Sequence, residues 1–149
     1  MDKDVMIYIN GMQYVDLGGQ EEPVEVIAPG KYYFRNGSHY LLFDDIGDFS
    51  NEWSRSTIKF RKAYLEVRRR GDINTQLVFE ENKKTKSLYG TPFGQLNIGI
   101  SATLIDFKEQ EDKIELTANY ALEINDTFVS DCSISLIAKP RKSDFSLTS

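Results

Sequence analysis

A chain of 149 residues with 40% hydrophobic and 28% charged side chains and a net charge of −5 is sized for a single domain that buries its own core without metal or disulfide staples. Its one cysteine, Cys132, excludes an internal disulfide, its one histidine, His39, excludes a multi-histidine or Cys-Cys-His metal centre, and no apolar run approaches the roughly 20 residues of a membrane helix. Nothing at the start resembles a signal peptide, since Met1-Asp2-Lys3-Asp4 runs straight into strand-like sequence, so a soluble, cytoplasmic protein is expected.

Val5 to Leu17 reads as a first strand, with Val5, Ile7 and Ile9 on one face and Met6 and Tyr8 on the other; both faces start apolar, as in a strand covered on both sides. Gly18-Gly19 ends it. Glu22 to Ala28 alternates again through Val24, Val26 and Ala28, and Pro29-Gly30 is expected to break the chain before Lys31-Tyr32-Tyr33-Phe34-Arg35. Asn36-Gly37 is a strong hairpin signal, because a type I′ turn needs positive φ at both central residues, and Tyr32 to Asp45 is a predicted hairpin. Asp44 to Ser54, with the only tryptophan, Trp53, reads as a loop covering one mouth of a barrel. Ser56 to Arg61 and Tyr64 to Arg70 follow as strands across a tight turn. Gly71-Asp72 leads into Ile73 to Glu81, and Asn82-Lys83-Lys84 turns the chain towards Leu88 to Thr91. Pro92 and Gly94 then interrupt the ladder, with Phe93 placed to fold back over the barrel end as a plug.

Residues 95 to 138 carry the clearest signal. Ile114, Leu116, Ala118, Tyr120, Leu122 and Ile124 fall on one face, and Glu115, Thr117, Asn119, Ala121, Glu123 and Asn125 on the other. A period of two is a half-buried β-strand, and three strands of about twice the usual length need tilted, coiled neighbours of the kind a closed antiparallel barrel provides. In the first of the three the inward set moves from Leu96, Ile98, Ile100, Ala102 and Leu104 to Ile105 and Phe107, a one-residue slip that predicts a β-bulge. The expected fold is a closed, all-β antiparallel barrel of about 8 to 10 strands forming one domain over residues 1–149, with a loose C-terminal tail over 139–149.

Charge is unevenly spread. Residues 55 to 86 carry ten Lys and Arg against four Asp and Glu, while the rest of the chain carries eight against nineteen. Such a sector suits an anionic ligand, nucleic acid or an acidic protein, or it is the solvent face of adjoining strands with acidic neighbours across the barrel. Asp44, Asp45 and Asp48 match no EF-hand spacing, and no metal site is assigned to them. Arg70-Gly71-Asp72 and the sequons at Asn36 and Asn125 read as turns in a cytosolic chain. A His39–Cys132 nucleophilic pair is open to sequence alone, but Cys132 shares parity with Ile134, Leu136 and Ala138 and is expected in the core, with His39 exposed beside its turn. Arg69 shares a face with Leu65 and Val67 and is expected to enter the barrel. A guanidinium there must be paired or hydrogen-bonded, either internally, with Tyr120 as the first partner to look for, or by a ligand carboxylate or phosphate.

At Gly30-Lys31-Tyr32-Tyr33, at the Arg69-Arg70-Gly71 corner and above all at Tyr89-Gly90-Thr91-Pro92-Phe93-Gly94-Gln95-Leu96, the chain resembles the YwiB-like family of small bacterial proteins, over about residues 5 to 138. The resemblance implies a closed antiparallel barrel of the calycin type, akin to lipocalins, in a bacterial cytoplasm. The family is known as a domain of unknown function, so it carries over no catalytic residue. The chain departs from it in the basic triplet Arg68-Arg69-Arg70 and in a longer C-terminal tail. The resulting expectation is a non-enzymatic module, monomeric or homodimeric and without a cofactor, that holds a small, partly apolar, anionic ligand in the barrel through Arg69 and Tyr120, with Tyr89, Thr91 and Phe93 at its end. The alternative is nucleic acid or an acidic protein on the basic strands 55–86. An enzyme using Arg69 with tyrosines or His39 has no activated nucleophile or tuned carboxylate pair behind it.

Overall fold

In the computed structural model, which describes residues 3–15, 21–46, 53–71, 74–91 and 94–141, the period-two segments become ten antiparallel strands. They are β1 (Asp4–Val15), β2 (Glu21–Arg35), β3 (Ser38–Ile46), β4 (Trp53–Arg61), β5 (Tyr64–Arg70), β6 (Thr75–Glu80), β7 (Lys84–Thr91), β8 (Gly94–Gln110), β9 (Lys113–Ile124) and β10 (Thr127–Pro140). Each pairs with its neighbours in sequence, and β1 pairs with β10 to close the barrel. The expected all-β closed barrel is what the chain forms. Tight turns at 36–37, 62–63, 81–83 and 111–112 gather at one end. At the Asn36-Gly37 turn both residues have positive φ, 53° and 79°, as the type I′ geometry requires.

The alternating residues fill the interior. Phe60, Phe79, Ile7, Ile9, Leu41, Ile58, Leu65, Ile100, Ile114, Leu116, Leu136 and Val5 are each less than 2% exposed. Full burial of such side chains is worth about 1.5–3 kcal/mol each, and this term holds the barrel together. Cys132 is buried among them, as its parity predicts.

Four expectations need correction. Pro29-Gly30 does not interrupt β2; it marks where the strand changes partner. Residues up to Lys31 pair with β1, residues from Gly30 onward pair with β3, and the strand passes through the corner unbroken. Asp44–Ile46 and Trp53–Ser54 are ladder rather than loop, with Asp44 opposite Arg55 and Ile46 opposite Trp53, while a cover over the mouth would involve residues 47–52, outside the described residues. The bulge in β8 falls between Ala102 and Leu104, so Thr103 is the extra residue and Leu104, read as the last inward position before the slip, is 40% exposed; Ile105 takes the inward place. The start of the tail is strand, since Lys139 pairs with Met6 and Pro140 with Val5. Residues 142–149, and the Gly18-Gly19 and Pro92-Phe93 signals, lie outside the described residues.

Two more bulges fall at Gly11 in β1 and Val129 in β10. The latter turns Phe128 out to 59% exposure and lets Val129 pack on the core instead. The β8 bulge is held from outside its own ladder. The backbone N–H of Ile105, just past the extra residue, donates to Glu81 Oε2 at 2.8 Å, and that of Asn82 to the Ala102 carbonyl at 2.8 Å. The β6–β7 turn thus supplies partners for groups that the bulge displaces from their own pairing.

Candidate anion cleft and a buried histidine

β5 alternates strictly, so Leu65, Val67 and Arg69 point inward and Tyr64, Glu66 and Arg68 outward. Arg69 is 8% exposed, as expected from its parity. It lies opposite Ser56 in β4 and Thr75 in β6, and small buried Ser54 and Ser56 leave width for its long side chain. Arg69 is also engaged by other groups of the protein. After Arg70 the chain turns, and Asn74 Oδ1 accepts from the Gly71 N–H at 3.2 Å. Around this corner opens a cleft of about 490 Å³ lined by Arg68, Arg69, Arg70, Asn74, Thr75, Gln76 and Leu88.

The outer row explains which charges there are available. Glu66 accepts from Tyr64 Oη at 2.7 Å and from Arg68 Nη2 at 3.2 Å, so Arg68 is partly neutralised; burial, together with the same carboxylate, pushes the Tyr64 hydroxyl up to about 12. Arg70 stands directly opposite Arg55, a like-charge pair. Asp44 relieves it by accepting from Arg55 Nε at 2.8 Å and Nη2 at 3.4 Å. Arg70 has no carboxylate partner among the described residues, and its side chain is exposed at the cleft.

The other expected contacts scatter. Tyr120 is buried at 5% exposure on β9, opposite Ala102 and Cys132, with its ring set edge-on to Phe79 at 4.9 Å. It is a core aromatic and not part of the cleft lining. The Tyr89 backbone lies opposite Thr75, so Arg69, Thr75 and Tyr89 follow one another across three strands. Thr91 ends β7 opposite Gly94, and Phe93 lies outside the described residues. In the acidic stretch, Asp44 is committed to Arg55, Asp45 is a ladder residue opposite Ser54, and Asp48 is not described.

His39 is the residue that sequence reasoning placed wrongly. It is 4% exposed, not exposed. Its Nδ1 is 2.8 Å from Tyr32 Oη, Phe60 stacks on it at 4.9 Å and 13°, and Phe107 meets it edge-on at 5.1 Å. Burial holds the imidazole below its ordinary value and pushes the Tyr32 hydroxyl up. The signal was present: His39 shares parity with Leu41 and Phe43, both inward, and proximity to a turn outweighed it. Cys132, the partner weighed for it, has Ser130 Oγ 3.2 Å from its sulfur instead.

Half of the ten cations in the basic sector are met by acids among the described residues. Arg55 pairs with Asp44, Arg68 with Glu66, Lys83 with Glu80, Lys84 with Glu123 and Lys86 with Asp126.

A ten-stranded antiparallel barrel with a core of its own side chains and an arginine-lined cleft at its rim defines the class: a small all-β barrel protein. Residues 7–136 match the family described as "Domain of unknown function (DUF1934)", and the chain belongs to that family. It is similar to the uncharacterized beta-barrel protein YwiB of Bacillus subtilis (strain 168), at 21% identity over 126 residues, covering 85% of this chain and 87% of that one. The crystal structure of the ywiB protein from Bacillus subtilis superposes with a TM-score of 0.74 over 93% of this chain and 92% of the other, at 19% identity. The closed all-β barrel expected from the alternation and the YwiB-like resemblance are both borne out.

Proposed function

We propose that the protein is a non-enzymatic cytoplasmic binding module for a small, partly apolar anion, held at the barrel rim where Arg69 enters the interior, in the manner of calycin-type barrels. The observation that supports this reading is the cleft of about 490 Å³, of small-molecule size, which joins three arginines and two side-chain amides to the exposed Leu88. Arg70 supplies the charge, Asn74 and Gln76 orient, and Leu88 covers the apolar part of the ligand. The test is calorimetric titration with two anionic probes, inorganic pyrophosphate and decanoate. Saturable binding of either that weakens with salt and falls about tenfold or more in Arg70→Gln is the expected result. No saturable heat from either probe, or binding unchanged in Arg70→Gln, would overturn it.

Nucleic acid on the outer face is the second reading. It draws support from the interleaving of Lys59 with Tyr40 and Tyr64, at 5.7 and 5.9 Å from their ring centroids, and of Arg61 with Tyr64 at 3.9 Å. The acid partners of five other cations in the sector count against it, and absence of binding to a mixed RNA pool at low salt would end it.

A further inference from the structure

His39 lies four register positions from Phe43 along β3, and Phe43 is opposite Ser56, which is itself opposite Arg69. The two features are therefore about 13 Å apart along the strands, towards opposite ends of the barrel. At the His39 end a second cleft, of about 470 Å³, is lined by Lys3, Tyr32, Tyr33, Phe34 and Glu109. Its floor is rigid. Tyr32, only 7% exposed, is tied to the buried imidazole, which is in turn clamped by Phe60 and Phe107. A buried Tyr–His pair is a costly way to fill a core that a second phenylalanine would fill as well, because each polar atom must keep a partner.

The walls have two further properties. Phe34 is 60% exposed beside the cleft, a ring left in water where a flat ligand would cover it, and the Lys3 ammonium stands 5.1 Å from the centroid of Tyr33. Lys3, before β1, and Glu109, near the end of β8, bring opposite charges to one rim, and no ion pair within the protein engages either among the described residues. Aromatic walls beside one cation and one anion match a flat ring that carries both an ammonium and a carboxylate.

We propose that this cleft is a second binding site, separate from the arginine cleft, for a small aromatic zwitterion: its ring lies against Phe34 and Tyr33, its ammonium faces Glu109 and its carboxylate faces Lys3. Catalysis is not part of the proposal; the Tyr32–His39 pair shapes the floor.

The test titrates the whole protein with L-tryptophan, tryptamine, which lacks the carboxylate, and indole-3-propionate, which lacks the ammonium. Binding is read by calorimetry and by the imidazole NMR signal, which the single histidine makes unambiguous. L-Tryptophan should saturate one site, shift the His39 signal and bind about tenfold tighter than either truncated probe. Glu109→Gln should weaken tryptophan and tryptamine but leave indole-3-propionate unchanged, and Phe34→Ala should weaken all three by about fivefold. Both side chains are exposed, so neither substitution empties the core. No saturable binding of tryptophan, binding without movement of the His39 signal, indifference to both substitutions, or displacement by pyrophosphate would each overturn the proposal.

Discussion

At the scale of the residue, His39 carries the sharpest consequence. Its imidazole sits among Tyr32, Phe34, Phe60 and Phe107, and burial disfavours its protonated form more than Glu109 favours it, so its native pKa lies below the ordinary 6.5. The unfolded chain then binds the proton first as pH falls. The contribution of His39 to stability is complete above about pH 6.5 and erodes as pH drops below that towards the lower native value. Asp4, lowered by Lys31, and Glu115, lowered by Lys113, lose stability only further down, as pH falls into and below the carboxylate range, which leaves the histidine window clear. Urea midpoints taken between about pH 5 and 7.5 should rise with pH in the wild type and lie flatter in His39→Gln. A wild-type midpoint that rises on acidification would contradict the burial of a neutral ring.

At the scale of the element, strands are bent and re-aimed by single residues. Gly30 sits where β2 passes from β1 to β3, and a Cβ there would meet the Leu42 carbonyl oxygen at 2.4 Å and Ile7 Cδ1 at 2.5 Å. The first is backbone of a paired strand and cannot move aside without breaking the ladder. Gly30→Ala should therefore destabilise by about 1–3 kcal/mol in chemical denaturation, against a few tenths for an exposed strand position. A variant as stable as the wild type would show that the corner is loosely packed. The same logic explains the bulges. At Thr103 and Val129 one extra residue flips the parity, sending Leu104 and Phe128 outward while Ile105 and Val129 turn to the core.

At the scale of the whole molecule, closure removes free edges, but not evenly. β9 pairs along its whole length with β8 and from Ile114 to Ile124 with β10, whereas Thr75 opposite Tyr89 is the one register pair between β6 and β7 among the described residues. The Thr85 hydroxyl donates to the Val78 carbonyl across this seam, a side chain acting where a backbone N–H would in a regular ladder. Native-state hydrogen exchange should open the amides that face this seam well before those of the β8–β9–β10 meander, in which opening approaches global unfolding. Equal protection on both sides would mean that the barrel opens only as a unit. The arginine cleft borders this seam through Thr75, Gln76 and Leu88, so a ligand held there should slow exchange locally.

Strand identity was legible because side-chain direction in a strand is a local property with a period of two. Residues 113–124 and the inward turn of Arg69 follow from counting alone, as does the core place of Cys132. Parity also spoke for His39, but the composition of a turn two residues away was weighed above it. What counting does not contain is which strands meet and where. That β2 trades β1 for β3 at Gly30, that Asp44 and Arg55 extend a ladder through an apparent loop, and that Tyr120 packs on Phe79 rather than lining the Arg69 cleft all depend on register between segments far apart in the chain. Register is set by how many inward side chains must fit one closed circumference, and that volume constraint is a property of the assembled barrel. The chain by itself therefore determined an all-β barrel with an inward arginine; only the tertiary structure decided that His39 is buried against Tyr32 and that charged clefts open towards opposite ends.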